Sequence, residues 1–408
     1  MTHSSAAIPD HVPAHLVVDF DPVAGPEVTE FPPSAMNAFR DSFPIFYTPY
    51  GGGFWVLTRF ADIKAAFQDP ETYPQQGTLN TSWTGTRHIP LRLNPPEHHA
   101  YRKMLMGMFS PRRLAQMEPL VRRVARERIR VFARSGSCEL VTDYAISLPA
   151  ATFCGLLGLP LSDFPVYHEI SWGLVYEAER LRREQGEETA QKFRKELLGR
   201  VEATVADLIP RRRSRPGEDI ISFLLKAGVF DRPLTDDEIV NIATLMFFAG
   251  TDSTAGMIAY SFAFLAKNPA HRKKIVAEPG SIPTAADELI RYHGFHHIVR
   301  DVARDVEVAG VGLKRGDRIL LHTGGANHDP AEFACPGKVD LGRKPAQQLT
   351  FGTGIHRCIG APLAKLELRV ALEEFHSVLP EYRITDGDDV EYAGGQQKIL
   401  PRRVPLSF

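Results

Sequence analysis

The run from Thr235 to about Lys267 constrains this chain more than any other stretch. Thr235-Asp236-Asp237-Glu238 is a capping-box signature, in which threonine and glutamate side chains satisfy orphan N–H groups at a helix start. The residues that follow are nearly all apolar, so the helix they form has to be buried on every side. At about 1.5 Å per residue it is long enough to cross a domain. Its middle reads Ala249-Gly250-Thr251-Asp252-Ser253-Thr254, a block of small or polar residues inside an apolar helix. An acid buried there without a partner would cost several kcal/mol or be driven neutral, so Asp252 needs a structural hydrogen-bond partner or a chemical use.

A second feature lies near the other end of the chain. Phe351-Gly352-Thr353-Gly354-Ile355-His356-Arg357-Cys358-Ile359-Gly360-Ala361-Pro362 is a glycine-punctuated loop running into a helix. Gly352, Gly354 and Gly360 let the backbone pass close to a flat ligand. From Ala361 the residues Ala364, Leu368, Ala371, Leu372, Phe375 and Leu379 recur at helical spacing, and Pro362 suits a first turn. Cys358 therefore stands at a helix N-terminus, where free N–H groups and the helix dipole favour a thiolate. Such a sulfur is a metal ligand or a nucleophile; the alternative is an inert buried cysteine beside a tight turn.

Composition narrows the classes. Of 408 residues 43% are hydrophobic and 24% charged, which suits a globular protein with a large core. No Gly/Ser-rich linker, repeat or low-complexity tract divides it, so one unit over 1–408 is expected, with an irregular N-terminal segment over about 1–35. A net charge of −1 gives no global field for nucleic acid or an anionic membrane, and neither is expected as a partner. Cys138, Cys154, Cys335 and Cys358 lie far apart with no C-x-x-C pair, which argues against zinc and iron–sulfur sites and fits a reducing cytoplasm. Met1 to Asp10 has neither a basic start nor an apolar run, and no stretch approaches the ~20 apolar residues of a membrane span. A cytoplasmic, soluble protein is the expectation.

The loop Phe-Gly-x-Gly-x-x-Arg-Cys-x-Gly resembles the haem-binding signature of the cytochrome P450 family, in which the cysteine thiolate is the axial ligand of haem iron. Other segments extend the resemblance over nearly the whole chain. Val12 to Asp21 resembles the entry segment of bacterial camphor-hydroxylase-like members. Ala249 to Thr254 is similar to the oxygen-activation motif Ala-Gly-x-Asp-Thr-Thr, whose acid and alcohol open the helix locally, with Ser253 in place of the usual threonine. Serine keeps the hydroxyl but loses the methyl that restricts χ1. Asp252, Ser253 and Thr254 are the implied catalytic set, and either hydroxyl could be the working one.

The resemblance also implies who holds the cofactor. The double proline Pro95-Pro96 launches a helix with His98 and Arg102 on one face, and His98, Arg102, Arg300 and His356 match propionate-binding positions, with Cys358, Gly352 and Gly360 around the iron. Many relatives have aspartate where this chain has Asn94. Glu288 and Arg291, completed by Arg343, resemble the family's buried structural pair and its further arginine. Trp83, Thr86, Arg87, His88, Phe247, Gly250 and His297 are candidates for the substrate pocket. His293, His296 and His297 form a dense group better suited to pocket lining than to metal.

The implied fold is mainly α, the triangular helical prism of this family with a smaller β-rich region. The implied activity is a monooxygenase using haem b and O2 on a small apolar substrate, terpenoid or cyclic. Since the resemblance fills the chain, electrons from NAD(P)H are expected through a separate ferredoxin-type donor and its reductase, docking on a basic patch drawn from Arg112, Arg113, Arg122 and Lys365. A peroxide-driven peroxygenase and a haem-thiolate sensor or carrier are the alternatives. Short strands are expected at Ile45–Tyr47 and Phe54–Thr58 about Gly51–Gly53, and at Val306–Val308 and Arg318–His322 about Gly316-Asp317. The basic run Arg211 to Arg215, between Pro210 and Pro216, reads as a solvated loop.

Overall fold

The computed structural model describes residues 6–21, 39–75, 88–344, 347–395 and 398–408. The helices are α1 (Phe60–Gln68), α2 (Glu97–Met106), α3 (Pro111–Phe132), α4 (Ser147–Leu157), α5 (Phe164–Trp172), α6 (Ala178–Gln185), α7 (Glu187–Ser214), α8 (Ile220–Lys226), α9 (Asp236–Lys267), α10 (Pro269–Ala277), α11 (Ile282–Tyr292), α12 (Thr323–Asn327) and α13 (Ala361–Val378). The strands are β1 (Ile45–Thr48), β2 (Phe54–Leu57), β3 (Ser137–Glu139), β4 (Gly228–Val229), β5 (Arg232–Pro233), β6 (His297–Asp301), β7 (Val306–Val308), β8 (Val311–Leu313), β9 (Arg318–His322), β10 (Arg383–Ile384), β11 (Glu391–Gly395), β12 (Lys398–Arg403) and β13 (Pro405–Ser407).

The capping box at the head of α9 is complete: Thr235 Oγ1 accepts from the Glu238 N–H at 3.2 Å, and Glu238 Oε2 accepts from the Thr235 N–H at 2.8 Å. The helix then threads two hydrophobic cores. Ile239, Ile242, Ala243 and Phe247 pack in one with α4 and α7; Ala255, Ile258, Ala259, Phe262 and Leu265 pack in the other with α13 and β12. The expectation that no stretch approaches a membrane span is corrected: α9 is long and apolar enough for one, but most of its apolar surface is covered by protein. Ala249 to Thr254 fall between the two cores, which is why a polar block is tolerated there.

The main sheet has the order β1-β2-β9-β6. β1 and β2 form the expected hairpin, β2 runs parallel to β9, and β6 pairs antiparallel with β9, placing His297 opposite His322. Side chains alternate along β6, so His297 and Val299 face one way and Ile298 and Arg300 the other. Burial follows that alternation at the start of the strand, with His297 and Val299 buried and Ile298 half-exposed.

Two local expectations are corrected. Arg211 to Ser214 are helical: α7 runs through Pro210, and Arg212 and Arg213 pair with Asp219 and Asp236. Buried Leu208 and Ile209 anchor that last turn, offsetting the bond a helical proline forfeits. Val306–Val308 pairs not with β9 but with β8, across a turn in which Ala309 and Gly310 have φ of 51° and 80°. Gly316, at φ 94°, then turns the chain into β9.

Burial pushes the His297 imidazole from 6.5 down to about 4. Below pH 6.5 the unfolded chain takes up this proton while the native chain does not, so stability is full above 6.5 and declines as pH falls towards about 4. For His297 alone the loss is roughly 3 kcal/mol. Denaturant titrations across pH 4 to 7 should therefore show a smaller acid-side slope for His297→Phe than for the parent protein.

Candidate active site

The loop that carries Cys358 is held by elements distant in sequence. Gly354 has φ of 70°, and a Cβ there would lie 2.4 Å from the Phe67 carbonyl oxygen at the end of α1, so close passage against α1 is what demands this glycine. Gly352, at φ 66°, also takes the left-handed conformation, beside the Phe67 ring. Gly360 has an ordinary φ of −81° and caps α13, and a Cβ there would lie 3.9 Å from Cys358 Sγ. The Cys358 N–H donates to the Phe351 carbonyl at 2.8 Å, closing the turn.

The Cys358 side chain is accessible, yet protein surrounds it closely enough that burial pushes its thiol up. The Gly360 and Ala361 N–H groups, Arg102 and Arg357 work against that rise. Both observations hold if the sulfur opens on an internal hollow instead of on bulk water. On α9, Ala249 and Gly250 are exposed in the middle of a buried helix, and a Cβ on Gly250 would meet nothing within 4 Å.

Basic groups gather beside the cysteine. The rings of His98 and His356 lie 4.2 Å apart, and Arg102 donates to the Arg357 carbonyl. Burial and the neighbouring Arg102 lower His98 to about 4, while burial, His98 and Arg300 lower His356 to about 3. Arg300 is buried, lies 5.6 Å from the Phe67 ring, and is lowered to about 10 by desolvation. Neither Arg102 nor Arg300 has a carboxylate at ion-pair distance among the described residues, and His98 Nδ1 and His356 Nε2 are buried without a partner. A gathering of cations and unsatisfied imidazoles is costly unless an anion completes it. A thiol at a helix start, an open face of α9 and a cluster short of two negative charges together fit a haem with its two propionates.

The structural triad is explicit. Glu288 receives Arg291 through two bonds of 2.8 Å and Arg343 Nε at 3.1 Å, and Arg291 also donates to the carbonyls of Asn327 and Pro336. It ties α11 to the segment leading into the cysteine loop. Asn94 caps no helix with its side chain; its Oδ1 accepts from the Gln75 N–H at 3.0 Å.

Several expected site residues are placed differently. α9 continues unbroken through Ala249 to Thr254, so the implied local opening of the helix is absent; Ser253 Oγ donates to the Ala249 carbonyl at 2.9 Å. Asp252 is buried and pairs with Lys398 from β12, while its Oδ1 has no partner. Phe247 is wholly buried against Phe153 and Tyr167, and His297 packs on His322 across the sheet, so neither lines the hollow. His296 and Ile298 are half-buried on the face of the strand that also carries Arg300, and His296 was visible only as one of three neighbouring histidines. Gly250 is exposed, with open space beside it. Trp83, Thr86 and Arg87 lie outside the described residues; His88 is buried, and burial lowers it to about 4.

The family model of cytochrome P450 matches residues 178–392. This chain belongs to the cytochrome P450 family. It is 33% identical over 392 residues to the probable cytochrome P450 127A1 of Sinorhizobium fredii, covering 93% of this chain and 92% of that one. It is 32% identical over 355 residues to mycinamicin IV hydroxylase/epoxidase of Micromonospora griseorubida, covering 82% and 84%. The crystal structure of CYP101J2 superposes with a TM-score of 0.87 at 32% identity, covering 99% of each chain. The protein is thus a P450 monooxygenase with the helical fold of that family, and the family uses thiolate-bound haem and O2.

The unpaired cationic cluster generates a test. Removing one partner of a buried charge pair typically costs on the order of 3 to 5 kcal/mol. Arg300→Ala should therefore release haem far faster than Arg130→Ala, an exposed control on α3, when transfer to an excess of apomyoglobin is followed; equal rates would remove Arg300 from the site.

Proposed function

We propose that this cytochrome P450 hydroxylates a small apolar substrate, terpenoid or otherwise cyclic, in the cytoplasm, with electrons from NAD(P)H through a ferredoxin-type donor and its reductase. The observation that carries the site assignment is the convergence of Cys358 with Arg102, Arg300, His98 and His356, none paired to a carboxylate among the described residues. When bound, the haem supplies dioxygen activation and oxygen insertion, with thiolate ligation by Cys358 tuning its chemistry. Arg102, Arg300, His98 and His356 would hold its propionates.

Asp252 and Ser253 are assigned to proton delivery. Ser253 lies three and four residues beyond Gly250 and Ala249, on the same face, and is half-exposed, whereas Thr254 is buried. That favours Ser253 as the working hydroxyl. The apolar surroundings exclude water, so a proton reaches the distal side through the carboxylate and this hydroxyl. Asp252→Asn should slow turnover by about 10²-fold with substrate affinity nearly unchanged. Ser253→Ala should divert more NADH to hydrogen peroxide, and Ser253→Thr should raise the product formed per NADH. Should Thr254→Ala alone impair coupling, Thr254 is the working hydroxyl instead.

The donor surface is narrower than the expected patch. Arg122 is neutralised by Glu118 and Glu374, and Lys365 pairs with Asp287 at 2.7 Å. Arg113 is spent on the Glu218 carbonyl. Exposed Arg112 and Arg357 are left to attract an acidic donor.

The test of the whole reading is spectral. Purified protein titrated with terpenoid and other cyclic compounds should change its haem spectrum saturably, and Cys358→His should lose the thiolate-type spectrum of the ferrous carbon monoxide complex together with activity. A parent-type spectrum in that variant would remove Cys358 as ligand, while Cys138→Ser, Cys154→Ser and Cys335→Ser should leave it unchanged.

A further inference from the structure

We propose that Tyr101 is a positioning residue for the cofactor: its hydroxyl, held by the capping glutamate of α9, fixes the rotation of α2 and so aims His98 and Arg102 at an anionic group. This rests on the reading of the cluster around Cys358 as the propionate site.

The buried face of α2 carries His98, Tyr101 and Leu105. Spacings of three and four put them one above another, with Arg102 beside Tyr101 and one turn beyond His98. Tyr101 is wholly enclosed in an apolar core, where an aliphatic or phenyl side chain would pack without needing a hydrogen-bond partner. Its hydroxyl instead donates to Glu238 Oε1, 137 positions away in sequence. His98 packs on His356, and Arg102 donates to the carbonyl of Arg357, the residue before Cys358. A turn of α2 about its axis that broke the Tyr101 bond would carry both of these groups away from the cysteine loop.

Glu238 is a fixed point for this bond. Its carboxylate accepts from the Thr235 N–H within the capping box, and Arg232 donates to it through Nη1 at 2.8 Å and Nη2 at 2.7 Å. Donation by Arg232, Tyr101 and Thr235 holds its carboxyl down at about 2, so it is an ionised acceptor through the neutral range. Hydrogen bonds to an ionised group are roughly twice as strong as neutral ones. Arg232 is delivered by the β4–β5 hairpin, whose tip residues Phe230 and Asp231 take left-handed φ of 52° and 57°. Residues other than glycine seldom adopt that conformation, and here it makes a two-residue turn that sets Arg232 opposite Val229. The Phe230 ring lies edge-on to Tyr101 at 6.3 Å, so hairpin, helix start and α2 meet around one carboxylate. Without the Tyr101 hydroxyl, Glu238 keeps its bonds from Arg232 and Thr235, and α9 keeps its cap.

The test follows haem transfer from the haem-loaded protein to an excess of apomyoglobin. Tyr101→Phe should transfer haem roughly tenfold faster than the parent, the change expected for losing a hydrogen bond to a charged group. Its haem propionate bending bands in the resonance Raman spectrum should shift as well. Tyr101→Phe added to a protein already carrying His98→Ala and Arg102→Ala should change the rate no further, because residues that act through a shared partner are not additive. Transfer at the parent rate in Tyr101→Phe would overturn the proposal. The same acceleration in both backgrounds would overturn it too, since that marks general loosening of the fold. Should His98→Ala and Arg102→Ala release haem no faster than the exposed control Arg130→Ala, the propionate reading itself fails.

Discussion

Burial of one helix on every side sets the terms for the rest of this molecule. α9 cannot be covered by a single neighbour, so α4 and α7 close on one half and α13 and β12 on the other. Two cores meeting along one helix leave a gap between them, and the gap coincides with Ala249 to Thr254. A helix that was apolar throughout would fill this region with side chains. Small residues keep it open, and Asp252 brings a charge to its edge.

Charge then sorts into two kinds. Some groups are complete within the protein: Glu288 with Arg291 and Arg343, and Arg122 with Glu118 and Glu374, where every buried charge has its opposite. The group around Cys358 is incomplete, with arginines and imidazoles that find no acid among the described residues. Burying such a set is unfavourable in isolation, and binding an anionic cofactor converts that cost into affinity. The complete networks hold the frame, and the incomplete one is the proposed cofactor site.

Much of this was legible in order along the chain. The capping box, the long apolar run, the polar block within it and the cysteine loop at a helix start are local patterns, and local physics is enough to read them. Glu288 and Arg291 were readable as a spacing. Misreadings arose where a neighbour far in sequence overruled a local signal. Pro210 and the arginines after it suggested a loop, but buried Leu208 and Ile209 and two aspartates hold the helix together. Gly354 suggested room for a ligand, but the Phe67 carbonyl occupies the space a side chain would need.

The sequence by itself determined the helical class, the buried acid and the sulfur at a helix N-terminus, because periodicity and capping act over a few residues. Only the tertiary structure decided which histidine is packed across the sheet against His322 and which partner Asp252 finds. His296 and His297 are adjacent, and strand alternation separates them only once β6 is paired with β9. Lys398 is one of many lysines in a sequence, and its place opposite Asp252 exists only after β12 is laid against α9, since electrostatics in a dry interior is governed by distance in space.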